Sequence, residues 1–178
     1  MDNGESSYRR YLDGDDNAFD DIQSMYFDRL TLFADRYLND IAAAEDVAID
    51  TLLQLIIHKR RYNFKTSLKT YLYTIAHNRA VNVLKARSRS LSVEVAEDMA
   101  DRLDLEQTVL DSERALRLNK ALAELPKDME KALYLVYFEQ LSYKDTAKVL
   151  GCKEKKVDNL LSRGKAIIKS TLEKEGWQ

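Results

Sequence analysis

Leu141-Ser142-Tyr143-Lys144-Asp145-Thr146-Ala147-Lys148-Val149-Leu150-Gly151-Cys152-Lys153-Glu154-Lys155-Lys156-Val157 is the stretch that decides the fold. It has the grammar of two short helices joined by a tight turn. Ser142 with Asp145 three residues on resembles a capping box, which satisfies orphan N–H groups at a helix start. Ala147 is small where two helices cross closely. Gly151 follows the last periodic residue and can take the left-handed conformation that ends a helix. Val157, Leu160 and Leu161 anchor the second helix, while Lys155, Lys156, Asn159 and Arg163 occupy its opposite face. A recognition helix of this kind puts its first residues on base edges and its cations on phosphates. The plain alternative is a helical hairpin with a solvated lysine face. DNA binding is the stronger reading, with Asp158 as a cost to it.

Charge patterning extends that reading to the rest of the chain. From Thr51 to Ser90 there are nine Lys or Arg residues (Lys59, Arg60, Arg61, Lys65, Lys69, Arg79, Lys85, Arg87, Arg89) and no acid. Residues 1–50, 51–90, 91–130 and 131–178 carry net charges of −9, +9, −6 and +4. A formal charge of −2 over 178 residues therefore hides two basic blocks, each able to meet phosphate while the acids face elsewhere. Five Gly and one Pro leave little punctuation, and Leu, Ala, Lys, Asp and Glu dominate, which points to helices rather than a sheet. A single cysteine, Cys152, suits a reducing cytoplasm. The acidic N-terminus is not read as a signal peptide, and no apolar run reaches the length of a membrane span.

Periodicity places a first helix at about 16–38, buried through Leu30, Phe33, Ala34, Tyr37 and Leu38. A second runs at about 42–58, with Ala44, Ala48, Leu52, Leu55 and Ile56 on its inner side. After the basic turn 59–65, Thr66 or Ser67 caps a third helix to about Arg87. Its core face is Leu68, Leu72, Ile75, Ala76, Ala80 and Val83. Asn78, Asn82, Lys85 and Arg89 form one polar row opposite that core, with Tyr71 nearer the helix start. Amides, cations and an aromatic suit single-stranded or partly opened DNA. Tyr71 and Tyr73 taken singly read as core. Residues 1–89 are expected to form one domain, 90–112 a linker, and 113–178 a second domain. In the second, helices are expected at about 113–124, from Pro126 to about Glu139, and at about 143–150 and 154–174.

The ordered set of motifs resembles bacterial sigma factors of the extracytoplasmic-function type, the two-domain promoter-specificity subunits of RNA polymerase. The resemblance starts at Gly14-Asp15-Asp16-Asn17-Ala18-Phe19 and continues through Ala44-Glu45-Asp46-Val47-Ala48-Ile49-Asp50-Thr51-Leu52-Leu53. It then takes in Ser67-Leu68-Lys69-Thr70-Tyr71-Leu72-Tyr73-Thr74-Ile75-Ala76-His77-Asn78 and Ala121-Leu122-Ala123-Glu124-Leu125-Pro126, and closes with the helix-turn-helix. It implies an all-α fold of two small helical domains, one like sigma region 2 and one like sigma region 4, joined by a linker. It implies core RNA polymerase as a partner, docked through Asp46, Asp50, Leu52 and Leu53 on the clamp coiled coil of the largest subunit. Promoter DNA is the other partner, and an anti-sigma factor is a candidate third; no membrane insertion is expected.

The loop 61–67 aligns with the family's loop that captures an extruded base of the minus-ten element. Its usual Phe-Arg-Gly reads Tyr62-Asn63-Phe64 here, so the glycine is lost and a ring gained. Asn63, Phe64, Lys65, Tyr71, Asn78, Asn82, Lys85 and Arg87 are the implied minus-ten contacts. Lys153, Lys155, Lys156, Asn159, Ser162 and Arg163 are the implied minus-thirty-five contacts. Asp158 and Leu160 stand where the family often has Lys and Arg. A stand-alone helix-turn-helix regulator is the alternative, but it leaves the basic third helix unexplained. Catalysis is not expected: His58 and His77 have no metal-ligand spacing, there is no phosphate-cradling glycine loop, and no cofactor is implied.

Overall fold

The structure, a computed structural model, describes residues 4–90, 121–122 and 124–174. The chain divides into two compact units, Met1–Arg102 and Leu103–Gln178. The anticipated linker at 90–112 and the helix at 113–124 lie almost wholly outside the described residues.

The first unit is built from α1 (Glu5–Leu12), α2 (Ala18–Leu38), α3 (Ile41–Ile57) and α4 (Leu68–Ser90). α1 precedes the first helix expected from periodicity. Its buried face is only Ser7, Tyr8 and Tyr11, one helical stripe at spacings of one and three in an otherwise charged segment. α2 buries Ile22, Tyr26, Leu30, Phe33, Ala34 and Tyr37, and ends at Asn39 in the left-handed conformation (φ 46°). Asp40 then caps α3, its Oδ1 accepting from the Ala43 N–H at 3.1 Å.

The inner side of α3 is Ala44, Val47, Ala48, Thr51, Leu52 and Leu55. Ile56, placed inside by its spacing, is 37% exposed instead. Thr51 is accommodated in the core because its hydroxyl donates to Val47 O at 2.7 Å. Ser67, not Thr66, caps α4, accepting from the Thr70 N–H at 3.1 Å. The α4 core face is Leu68, Leu72, Tyr73, Ala76 and Ala80, with Ile75 and Val83 half-buried. Tyr73 meets Phe33 edge-on, with ring centroids 5.0 Å apart.

In the second unit Pro126 opens α5 (Lys127–Leu133), where its missing N–H costs nothing. The helix expected to run unbroken to Glu139 widens at Tyr134–Phe138 into a π-helical turn. α6 (Tyr143–Val149) and α7 (Glu154–Lys174) complete the unit. Leu122, Leu125, Met129, Ala132, Leu133, Ala147, Val157 and Leu161 share one core, and Cys152 packs at its margin. α7 approaches α5 closely at Gly164, where a Cβ would lie 2.9 Å from Leu133 Cδ1.

Far along α4, Arg87 reaches back to the α2–α3 corner. It donates to Asp40 Oδ2 at 2.6 Å and to Leu38 O at 3.3 Å. The Ala43 N–H first, and Arg87 second, hold the Asp40 carboxyl below the usual range. A folded-state value below the unfolded one means stabilisation that is present above about pH 4 and fades as pH falls through the folded value. Asp40→Ala should therefore destabilise the first unit by about 1–2 kcal/mol at neutral pH, a lost cap plus a weak ion pair. Asp40→Asn, which keeps a capping oxygen, should lie between. In urea unfolding the gap between wild type and Asp40→Ala should narrow below pH 4; a gap that widens in acid contradicts this role.

Candidate nucleic-acid interface

The helix-turn-helix closes as its sequence requires. Ser142 Oγ accepts from the Asp145 N–H at 3.0 Å and donates to the Asp145 carboxylate at 2.7 Å. At the other end of α6, Cys152 N–H donates to Ala147 O at 2.9 Å and Gly151 N–H to Lys148 O at 3.3 Å. Gly151 stands between them at φ 62°. This is the paired-bond stop that favours glycine. It sets the entry of α7, on which Val157, Leu161 and Gly164 face the core.

Lys155, Lys156, Asn159, Ser162 and Arg163 fall within about a third of a turn on the opposite side, since each residue advances about 100°. All five are exposed, as is Lys153 just before the helix. Asp158 is exposed at the edge of this face rather than in its middle. Lys165 is turned to an intra-unit contact: its Nζ lies 5.0 Å from the Tyr137 ring centre, and the Tyr137 hydroxyl raises its pKa.

In the first unit Asn78, Asn82, Lys85 and Arg89 are all exposed on one side of α4. Arg87 is not with them. Nine residues beyond Asn78, it points half a turn away, and it is bound to Asp40 and Leu38 O, bracing the α2–α3 corner against α4. Arg79 is likewise engaged, with Asp50 at 2.6 Å.

The 58–67 loop is built around Tyr62, which is 3% exposed. Its ring meets Tyr8, Phe64 and Tyr71 at centroid distances of 5.6, 4.6 and 5.1 Å. Its hydroxyl lies 2.7 Å from Thr66 O and 3.1 Å from Glu5 Oε1. Burial first, and the Glu5 carboxylate second, push this phenol above its ordinary range, so it stays a donor. Phe64, at the position where the family's glycine is expected, keeps a glycine-like backbone at φ 58°. Its ring is half-buried, so the extra aromatic is only partly open to a base. Asn63 and Lys65 are exposed, and Asn63 Oδ1 accepts from the Lys65 N–H at 3.1 Å. Tyr71 is half-buried against Tyr62, while Tyr73 is wholly core.

On α3, Asp46 and Asp50 are exposed on one face, one turn apart. Leu52 is 4% exposed and belongs to the core, so it is not a docking contact. Leu53 (39% exposed) is on the outer side, in a stripe with Ile49 (45%), Ile56 (37%) and Ile57 (64%). Sequence reasoning missed this stripe as a unit. Its signal is an excess: α3 already fills one face with apolar residues, and these four remain on the other. Among the described residues no three His, Cys, Asp or Glu side chains are grouped to hold a metal. None of the described helices is long and apolar enough to cross a membrane.

The family model of sigma-70 region 2 matches residues 23–90, and that of sigma-70 region 4 matches residues 115–168. The chain belongs to the extracytoplasmic-function (ECF) sigma factors. It is 29% identical over 171 residues to the RNA polymerase sigma-H factor of Pseudomonas aeruginosa, covering 90% of this chain and 89% of that protein. It is 28% identical over 178 residues to the ECF RNA polymerase sigma-E factor of Haemophilus influenzae, covering 92% of each. The sigma factor RpoE of Bartonella quintana, solved in complex with the anti-sigma factor NepR, shares the fold. Its TM-score is 0.67 at 22% identity, over 87% of this chain and 96% of that one.

As an ECF sigma factor, the chain is a promoter-specificity subunit of RNA polymerase. α2 from Gln23, α3, α4 and the aromatic loop lie in its region 2 match, and α5 to α7 up to Ile168 in its region 4 match. α1 of this sigma factor precedes both matches. A Cβ at Gly151 would meet nothing within 4 Å, so only the backbone resists substitution there. Gly151→Ala should thus destabilise the sigma factor's second unit by about 1–2 kcal/mol, and Gly151→Asn by less. Equal stability of Gly151→Ala and wild type in thermal unfolding would contradict the left-handed stop.

Proposed function

We propose the following division of labour. Residues 113–178 form the module that reads the minus-thirty-five element through Lys153, Lys155, Lys156, Asn159, Ser162 and Arg163. Residues 1–89 form the module that docks on core polymerase and opens the minus-ten element, and 90–112 link the two. The observation that carries this reading is the exposed face of α7, where cations and amides lie directly opposite Val157, Leu161 and Gly164. Cations there supply affinity that falls with salt, while Asn159 and Ser162 are short enough to read base edges.

In the first module Asn78, Asn82 and Lys85, with Arg89 continuing the row, lie along the strand to be opened. Extruding a base costs a few kcal/mol, which a loop offering stacking and hydrogen bonds can offset. Asn63 and Lys65 supply the polar contacts, and Tyr71 and the open part of Phe64 the stacking. Arg87 and Leu52 are left out of these roles. Asp46, Asp50 and Leu53, flanked by Ile49, Ile56 and Ile57, dock on the clamp coiled coil of the largest polymerase subunit, where Asp50, more than half exposed, shares its carboxylate between Arg79 and the partner. An apolar stripe with acids beside it suits a partner surface that is apolar with basic edges. The protein acts in the cytoplasm with polymerase and performs no chemistry of its own. An anti-sigma factor is a fitting regulator, as in the complex of its structural relative.

Lys155→Ala, Lys156→Ala and Arg163→Ala combined should weaken promoter binding by the polymerase complex at all sequences alike. The slope of log affinity against log salt should fall by about 0.9 for each phosphate that is no longer neutralised. A fluorescence-anisotropy titration at several salt concentrations reads it; an unchanged slope removes these residues from the interface.

A further inference from the structure

The loop assigned to base capture is held by a helix that lies outside the matched sigma regions. α1 touches it at its start, middle and tip. Tyr8 OH donates to Lys59 O at 2.6 Å, where the basic turn begins. Glu5 Oε1 lies 3.1 Å from the Tyr62 hydroxyl. At the tip, the Arg9 guanidinium carbon sits 4.1 Å from the centre of the Phe64 ring, and the Tyr8 ring is 6.1 Å away. Phe64 thus has Arg9 and Tyr8 of α1 against it, together with the Tyr62 ring at 4.6 Å.

We propose that Arg9 is a positioning residue for promoter opening: by lying over Phe64 it holds the loop in the conformation that receives the unpaired base. This rests on the reading of the loop given above. Phe64 has φ 58°, a conformation that a residue with a Cβ keeps only where its surroundings hold it. Where the family's glycine would take that shape freely, this chain needs a clamp on the ring. A cation over an aromatic face supplies one, attracted by the ring quadrupole. Arg9 is exposed, unlike Tyr8 at 0%, so it can be altered without emptying the core. The clamp acts on the loop tip beside Asn63 and Lys65, the two exposed polar side chains there.

The test uses the full chain assembled with core polymerase on a linear promoter carrying 2-aminopurine at the base to be extruded. Fluorescence gives the rate of opening, and filter binding in the cold gives the affinity of the closed complex. Arg9→Ala should slow opening about two- to fivefold, the worth of a cation–π contact at a partly exposed site. Closed-complex affinity should stay within twofold, and Arg9→Lys should recover part of the rate. Arg9→Met, which keeps an apolar stem, should slow opening as Arg9→Ala does, guarding against a loss of packing. Phe64→Leu should slow it at least as much, since that ring also stacks on the base, and the double variant Arg9→Ala/Phe64→Leu should be no slower than Phe64→Leu alone, as when Arg9 acts only through that ring.

Wild-type opening rates in Arg9→Ala and Arg9→Met, or additive effects in the double variant, overturn the proposal. Asn63→Ala/Lys65→Ala separates the two readings. If it slows opening while the Arg9 variants do not, the loop reads DNA and Arg9 has no part in it. If it too opens like wild type, the loop reading fails and the proposal with it.

Discussion

The buried Tyr62 side chain is the contact on which the loop and the α4 face proposed to meet DNA depend. A phenol that is 3% exposed has to satisfy its hydroxyl inside the protein, because an unpaired buried donor costs about 1–3 kcal/mol. It does so with Thr66 O, closing the loop on itself, and with Glu5, tying the loop to α1. Its ring meanwhile touches Tyr8, Phe64 and Tyr71, three aromatics from α1, the loop tip and α4. Edge and tilted pairs of this kind add about 0.5–1.5 kcal/mol each beyond simple burial. One residue therefore fixes the height of the loop over α4, and with it where Asn63 and Lys65 stand.

Acids on neighbouring helices engage some of the cations of the basic block. In the stretch 51–90, with nine basic residues and no acid, two of the arginines find acidic partners on α3 and its cap. Asp50 takes Arg79, and Asp40 takes Arg87. These pairs are partly exposed and contribute little individually to stability. Their larger effect is on pattern: they turn two guanidinium groups away from the exposed side of α4 on which Asn78, Asn82, Lys85 and Arg89 lie. On α7 of the second unit helical geometry does most of this sorting, with Val157, Leu161 and Gly164 buried opposite Lys155, Lys156 and Arg163.

Much of this was legible in the sequence where a pattern had one interpretation. Ser142, Gly151 and Val157 define the helix-turn-helix because a cap, a left-handed stop and a core anchor occur at fixed offsets. The polar row on α4 was readable from spacings of four, three and four. α1 was not, because its burial rests on two tyrosines and a serine rather than on aliphatic residues. The Arg87–Asp40 pair was not legible, because charge alone does not show that Asp40, 47 residues earlier, stands at a helix corner within its reach. Ile56 fell on the outer side because α3 carries apolar residues on both faces, so periodicity does not rank them, while Leu52 stayed in the core its spacing gave it. Phe64 is the subtler case: a missing glycine reads as a changed backbone, yet the left-handed conformation persists under its neighbours' hold.

Taken together, two polar, cation-bearing helix faces and one aromatic loop are the features on which the proposed promoter contacts of this sigma factor rest. The most direct measurement is single-round transcription from linear promoter DNA by core polymerase, with and without the purified chain. The account predicts initiation at discrete sites only when the chain is present. The same sites used equally in its absence would contradict it.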